Sequence, residues 1–172
     1  MEAFYHGLTL PILNPAYLLL LGSVGLYLGQ QNSTDNLKLS LLLFGSLILC
    51  LFIGQRLDWG ERAGALLTPA LLLGLLTAGD AALPGIIRIL LTVLCGAILG
   101  GSLAGAMRNE FEAVGILGSL VGMAVLFYYP MLLAEWLRKR EWERIAIRIL
   151  GSWLAASSLL TLAFIVRSKI TL

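Results

Sequence analysis

Ionisable side chains are missing from most of this chain. Positions 3–34, 39–55, 63–79, 89–107, 113–134 and 149–166 contain no Asp, Glu, Lys or Arg. Each of these six runs is close to the roughly 20 apolar residues that a helix needs to cross a hydrocarbon core. The polar segments between them are too short to bury a core of their own, which excludes a separate water-soluble domain. The same absence removes the usual markers of chemistry, because intramembrane charges mark ion pathways and proton relays.

Histidine and cysteine are almost as scarce. His6 is the only histidine, set at a membrane edge beside Tyr5, and Cys50 and Cys95 are the only cysteines. Transition-metal sites gather several His, Cys or carboxylate ligands, so this inventory offers no metal centre, and no cofactor is expected. Both cysteines fall inside apolar runs and read as small buried hydrophobes. No G-x-S-x-G, H-E-x-x-H, Walker A or C-x-x-C pattern occurs, so no nucleophile or base has a supporting partner and an enzyme is not expected. The net charge is only +2, and the basic residues follow no groove, which argues against a nucleic-acid partner. The start, Met1-Glu2-Ala3-Phe4-Tyr5-His6, lacks the basic stretch of a secretory signal, so the first run is expected to remain as a membrane helix.

What is present is apolar: 59% of the 172 residues, with a mean hydropathy of +0.90. The expected fold is all-α, one integral membrane domain over 1–172, a bundle of six transmembrane helices near 8–29, 39–55, 63–79, 86–107, 113–134 and 145–166. Pro11 and Pro15 lie at the start of the first helix, where a missing N–H costs little; four residues apart, they also fit a broken start ahead of regular helix. Pro69 falls mid-helix in the third segment. A proline there frees a carbonyl, which in lipid needs cover from neighbouring helices, so this segment should face the interior.

Small residues recur at a spacing of four: Gly25 with Gly29, Gly96 with Gly100, Gly101 with Gly105, Gly118 with Gly122, and Gly151 with Ala155. That spacing lets helix backbones approach closely. Packing within the chain is the first expectation, and a face for other membrane subunits or a second copy is the alternative. Arg88, a turn into the fourth segment, reads as snorkelling to headgroups, with pairing to Asp80, a partner on another helix or an anion contact as the alternatives. Glu135, at the end of the fifth segment, is a candidate to line a vestibule. A basic cluster, Arg138, Lys139, Arg140, Arg144 and Arg148, fills the connector before the last helix. Lys and Arg total seven on one side and five on the other, but five crowd into that one connector against none in the N-terminal tail. This favours both termini outside the cytoplasm.

The layout resembles the HupE/UreJ family of small bacterial membrane proteins, which is associated with nickel or cobalt uptake. The family opens with H-P-x-x-G-x-D-H; the matching stretch here is Leu10-Pro11-Ile12-Leu13-Asn14-Pro15-Ala16-Tyr17. Its second signature, H-G-x-A-H-G-x-E, lines up with Gly100-Gly101-Ser102-Leu103-Ala104-Gly105-Ala106-Met107, and the last helix, around Arg148 to Ala156, is similar in style. Pro11, Gly101 and Gly105 keep the pattern. The places of the presumed metal ligands hold Leu10, Ala16, Tyr17, Gly100, Ala104 and Met107. The resemblance thus implies a permease-type protein of the bacterial inner membrane that no longer binds nickel or cobalt at the family's site. A neutral or weakly polar solute would need a polar-lined cavity near Asn14, Pro69 and Ser102. The alternative is a structural or assembly subunit of a larger membrane complex, docked through its small-residue faces.

Overall fold

A computed structural model describes the backbone of residues 2–31, 36–56, 63–107, 113–137 and 141–170, and the side chains of 4–31, 36–56, 64–107, 113–137 and 145–167. Within these residues the fold is all-helical, with seven helices: α1 (Glu2–Leu13), α2 (Pro15–Gln30), α3 (Asn36–Arg56), α4 (Ala63–Ala78), α5 (Gly85–Ala106), α6 (Ala113–Leu137) and α7 (Glu141–Ile170).

The first apolar segment is two helices where a single one over 8–29 was expected. Pro15 disfavours helical backbone at the residue before it, and Asn14 accordingly lies in the extended region at φ −91°, ψ 110°. The chain restarts at once, because Pro15 suits the first position of a helix and the Asn14 Oδ1 accepts the Ala16 N–H at 3.1 Å. Ahead of this cap the backbone is regular helix from Glu2. The two halves meet at 74°.

Four helices are long and apolar enough to cross a membrane, the bent pair makes a fifth candidate, and α4 is shorter. Large apolar side chains such as Leu90, Trp153, Leu160 and Phe164 stand 68%, 69%, 75% and 74% exposed. In water such a surface would drive association; against lipid it is the expected exterior.

Helix α2 lies at the centre. Twelve of its sixteen residues are buried, so it is covered on all but the narrow face that carries Leu18 and Gly22, as a helix apolar all round requires. Glycines set the distances around it. A Cβ placed on Gly25 would meet Phe127 and Pro130, and one on Gly29 would meet Met131 and Ala134, so α2 runs parallel to the second half of α6. Helix α1 runs parallel to the first half, with Gly7 on Gly115, Gly118 on Phe4 and Leu8, and Gly122 on Leu8 and Pro11. Helices α3 and α5 are also parallel, Gly96 facing Leu43 and Ser46, Gly100 facing Leu47 and Leu51, and Gly54 facing Gly101 and Ala104. Helices α4 and α7 are antiparallel, Gly74 lying on Ala155 and Gly151 on Thr77 and Ala78. Without a hydrophobic drive in lipid, contact of this closeness is what holds helices together. Phe44 of α3 adds ring contacts with Phe127 and Tyr128 of α6 at 5.8 and 6.1 Å.

Candidate functional site

Two places break the apolar uniformity. The first is the interruption between α1 and α2. A helix beginning inside a bundle exposes backbone donors that no earlier turn can satisfy, and Asn14 answers one of them. Ala16 and Tyr17, in the first turn of α2, are 2% and 0% exposed and share the main core with Leu103, Met107 and Met123. On the α1 side, Pro11 has no N–H to give the carbonyl four residues earlier, that of Gly7. Ser119 on α6 supplies the missing donor: its Oγ lies 2.9 Å from the Gly7 carbonyl, 3.1 Å from that of Gly115 and 3.6 Å from the Met107 Sδ. Replacing Ser119 with Ala should strand the Gly7 carbonyl in an apolar interior and destabilise the fold by about 1–3 kcal/mol. Reversible unfolding in mixed micelles measures this; a loss indistinguishable from zero would count against the contact.

The second place is a polar cluster at one end of the bundle. It depends on how α4 stops. The Ala81 N–H bonds to the Leu76 carbonyl at 3.1 Å and the Asp80 N–H to that of Thr77 at 3.2 Å, with Asp80 at φ 52°. This is a Schellman stop with Asp in the left-handed position that glycine usually takes. The stop turns the Ala81 carbonyl toward α2, where it accepts from the Gln31 Nε2 at 3.3 Å and the Tyr27 hydroxyl at 3.5 Å. The Gln30 Nε2 donates to the Asp80 carboxylate. Arg88, half-buried one turn into α5, donates from Nη1 to the Gln31 Oε1 at 2.9 Å. Its Nε and the Gln30 Oε1 are buried with no hydrogen-bond partner. Nearby ends are tied in the same way: Asn36 Nδ2 to Glu135 Oε1 at 2.8 Å, and Arg148 Nε to the Ala78 carbonyl at 2.9 Å. Chemically the cluster is a clamp, in which amides and guanidinium groups absorb helix-end carbonyls and two carboxylates.

The residues singled out from the sequence are distributed over both places and beyond them. Arg88 reaches Gln31, and Glu135 reaches Asn36. Pro69 is buried inside α4, which stays helical through it. Ser102 is buried on α5. Asn14, Pro69 and Ser102 lie on different elements, and none of them lines the cavity between α2, α6 and α7 or the one on α7 between Leu160 and Arg167. Gly100 and Ala104 turn toward α3, whereas Met107 lies beside Ser119. Gly105 is partly buried on the same helix. His6 sits exposed on α1, and both cysteine thiols are free. Among the described residues no three His, Cys, Asp or Glu side chains gather as a metal site would need. Arg138, Lys139 and Arg140 fall outside the described residues, as does the side chain of Arg144.

Sequence reasoning missed Ser119, Asn36, Gln30 and Gln31. A signal existed for the first, since every proline in a membrane helix leaves a carbonyl that must find a donor. Pro130, inside α6, was likewise passed over; its ring packs on Gly25. No family model, curated protein or solved structure matches this chain.

Proposed function

We propose that this chain is a permease-type protein of a bacterial inner membrane, similar in layout to HupE/UreJ, that crosses the bilayer six times. The four long helices, the bent α1–α2 pair counted once and the shorter α4 make up these spans. The end carrying Arg88, Arg148 and the connector basic residues faces the cytoplasm, with both termini on the opposite side, by the bias of Lys and Arg toward cytoplasmic loops. Nickel or cobalt is not the cargo at the family's place, because Leu10, Ala16 and Tyr17 offer neither imidazole nor carboxylate.

The observation that carries this reading is the break at Asn14. Non-helical backbone at membrane depth persists only where protein covers it or a cavity meets it; here the core covers Ala16 and Tyr17. Discontinuous helices of this kind are how many transporters build solute sites near the midplane, so the pathway to the break has to open for a solute to pass. The cargo that suits the break is uncharged and weakly polar, since the described interior carries no compensating charge there. A purely structural role would have to use other surfaces than the small-residue faces, because Gly25, Gly29, Gly96, Gly100, Gly118 and Gly122 are already covered by the chain's own helices.

Proteoliposomes under an osmotic gradient test the proposal. With glycerol and urea as probes, vesicles holding the protein should reswell at least several-fold faster than empty ones, and Asn14→Leu should remove most of that difference. Equal rates for protein-containing and empty vesicles with both probes would refute the permease reading and favour an assembly subunit.

A further inference from the structure

A single side-chain contact ties Arg88 into the polar cluster. Its Nη1 donates to the Gln31 Oε1 at 2.9 Å. Nε is shielded from water and has no partner, and Nη2 makes no hydrogen bond among the described residues. Nε and Nη2 form one edge of the planar guanidinium and donate in parallel, the pairing that carboxylates and phosphates accept. Gln31 is a neutral amide, so it supplies an acceptor and no counter-charge. The acid of the cluster, Asp80, is exposed and takes the Gln30 amide, so water and salt screen its charge.

We propose that the free Nε–Nη2 edge of Arg88, with the open space over Gly85, binds one phosphate group. A Cβ on Gly85 would meet nothing within 4 Å except Nη2, at 3.9 Å, so the guanidinium borders a space that no side chain fills. Gly85 is the first residue of α5, and the Arg88 side chain thus returns from one turn inside the helix to the level where the helix begins, as snorkelling requires. Ile86 and Leu90 beside it are exposed apolar side chains, which sets acyl chains against this turn and phosphates at its start. An oxyanion seated over Gly85 meets Nη2 first, and a small turn of the guanidinium brings Nε into the same pair of bonds. It answers the unused donors and the charge together, which a half-buried guanidinium at a membrane edge otherwise lacks. Lipid headgroups and free phosphate share this chemistry, and basic pockets between membrane helices are known seats for headgroups. The site is independent of the permease reading, because no solute has to cross.

Nuclear magnetic resonance on the intact chain, carrying isotope-labelled arginine in uncharged dodecyl maltoside micelles, gives the test. The Arg88 Nε–H signal is identified by its loss in Arg88→Lys or, should that variant fail to fold, as the arginine signal that Gly85→Leu displaces. Dihexanoyl phosphatidylglycerol and sodium phosphate are the probes, and sodium chloride at equal ionic strength is the control. The signal should move saturably with phosphate and stay in place with chloride. Movement with both probes establishes a site for any phosphate oxyanion; movement with the lipid alone establishes a headgroup site. Gly85→Leu places a side chain in the open space and should raise the half-saturating concentration at least about tenfold, the loss of one hydrogen bond to a charged group. Asp80→Asn should leave binding in place. No saturable movement with either probe, movement reproduced by chloride, or unchanged half-saturation in folded Gly85→Leu would each overturn the proposal. A signal that moves in Asp80→Asn and with neither probe would assign the free edge to Asp80 instead.

Discussion

Gly100→Ala is expected to destabilise the protein by about 2–3 kcal/mol, the upper range for forcing atoms into a packed contact, while Gly45→Ala stabilises it by up to about 1 kcal/mol. The two substitutions are chemically identical and both lie in apolar helices. The Cβ added at Gly100 collides with the Leu47 carbonyl and comes within 2.9 Å of the Leu51 nitrogen; the Cβ added at Gly45 has nothing within 4 Å. Backbone atoms cannot swing aside as a flexible side chain does, so α3 and α5 must separate along their length, losing dispersion contacts that lipid does not replace in kind. At Gly45 only the intrinsic helix preference of alanine remains. Unfolding both variants reversibly in mixed micelles reads the two signs directly. Equal effects at the two positions would mean that the parallel α3–α5 contact is not made as described.

The second large effect concerns the amide–carboxylate tie between Asn36 and Glu135. Asn36 is 8% exposed, and its Nδ2 lies 2.8 Å from the Glu135 Oε1. Hydrogen bonds to a charged group contribute about 1.5–3 kcal/mol, and removing one partner also leaves the other desolvated. Asn36→Leu should therefore cost about 2–3 kcal/mol. Adding Glu135→Leu should recover much of that loss, because no polar group is then stranded; the coupling in the double-mutant cycle should reach about 1–3 kcal/mol. Strict additivity of the two single losses would show that the pair does not act as a unit. Asn36 opens α3 and Glu135 closes α6, so the pair fixes which helix ends meet at the polar end of the bundle.

Both predictions rest on partners that lie far apart in the chain, and this marks where sequence reasoning stopped. Charge-free runs outline the helices well: the segments expected at 39–55, 86–107 and 113–134 correspond to α3, α5 and α6 with ends shifted by a few residues. Such runs are legible because lipid imposes the same condition on every residue of a span. The break at Asn14 was half legible. Two prolines at a spacing of four signal an irregular start, but that α1 is helical and packs on α6 depends on Gly115, Gly118 and Gly122, about a hundred residues away. Glycine spacing picks out small faces without naming their partners: it separates Gly100, four residues from Gly96, from Gly45 with Leu41 and Leu49 at that distance, but not α3 from any other helix as the one Gly100 meets. The polar cluster was least legible, because nothing in the local sequence marks Gln30 and Gln31 until the α4 stop turns Asp80 and the Ala81 carbonyl toward them.

The sequence by itself therefore determined the solvent, the helical class and the approximate limits of the apolar segments, because burying an unpaired backbone in lipid leaves a chain of this composition few other options. Only the tertiary structure decided that α2 is the covered centre, that α1 and α2 meet at an angle, and that Ser119 serves the carbonyl freed by Pro11. The reason is physical. Insertion into lipid is a property of each segment alone, whereas packing depends on close contact between backbones and on pairing polar groups across helices, and no single segment contains both sides of such a contact.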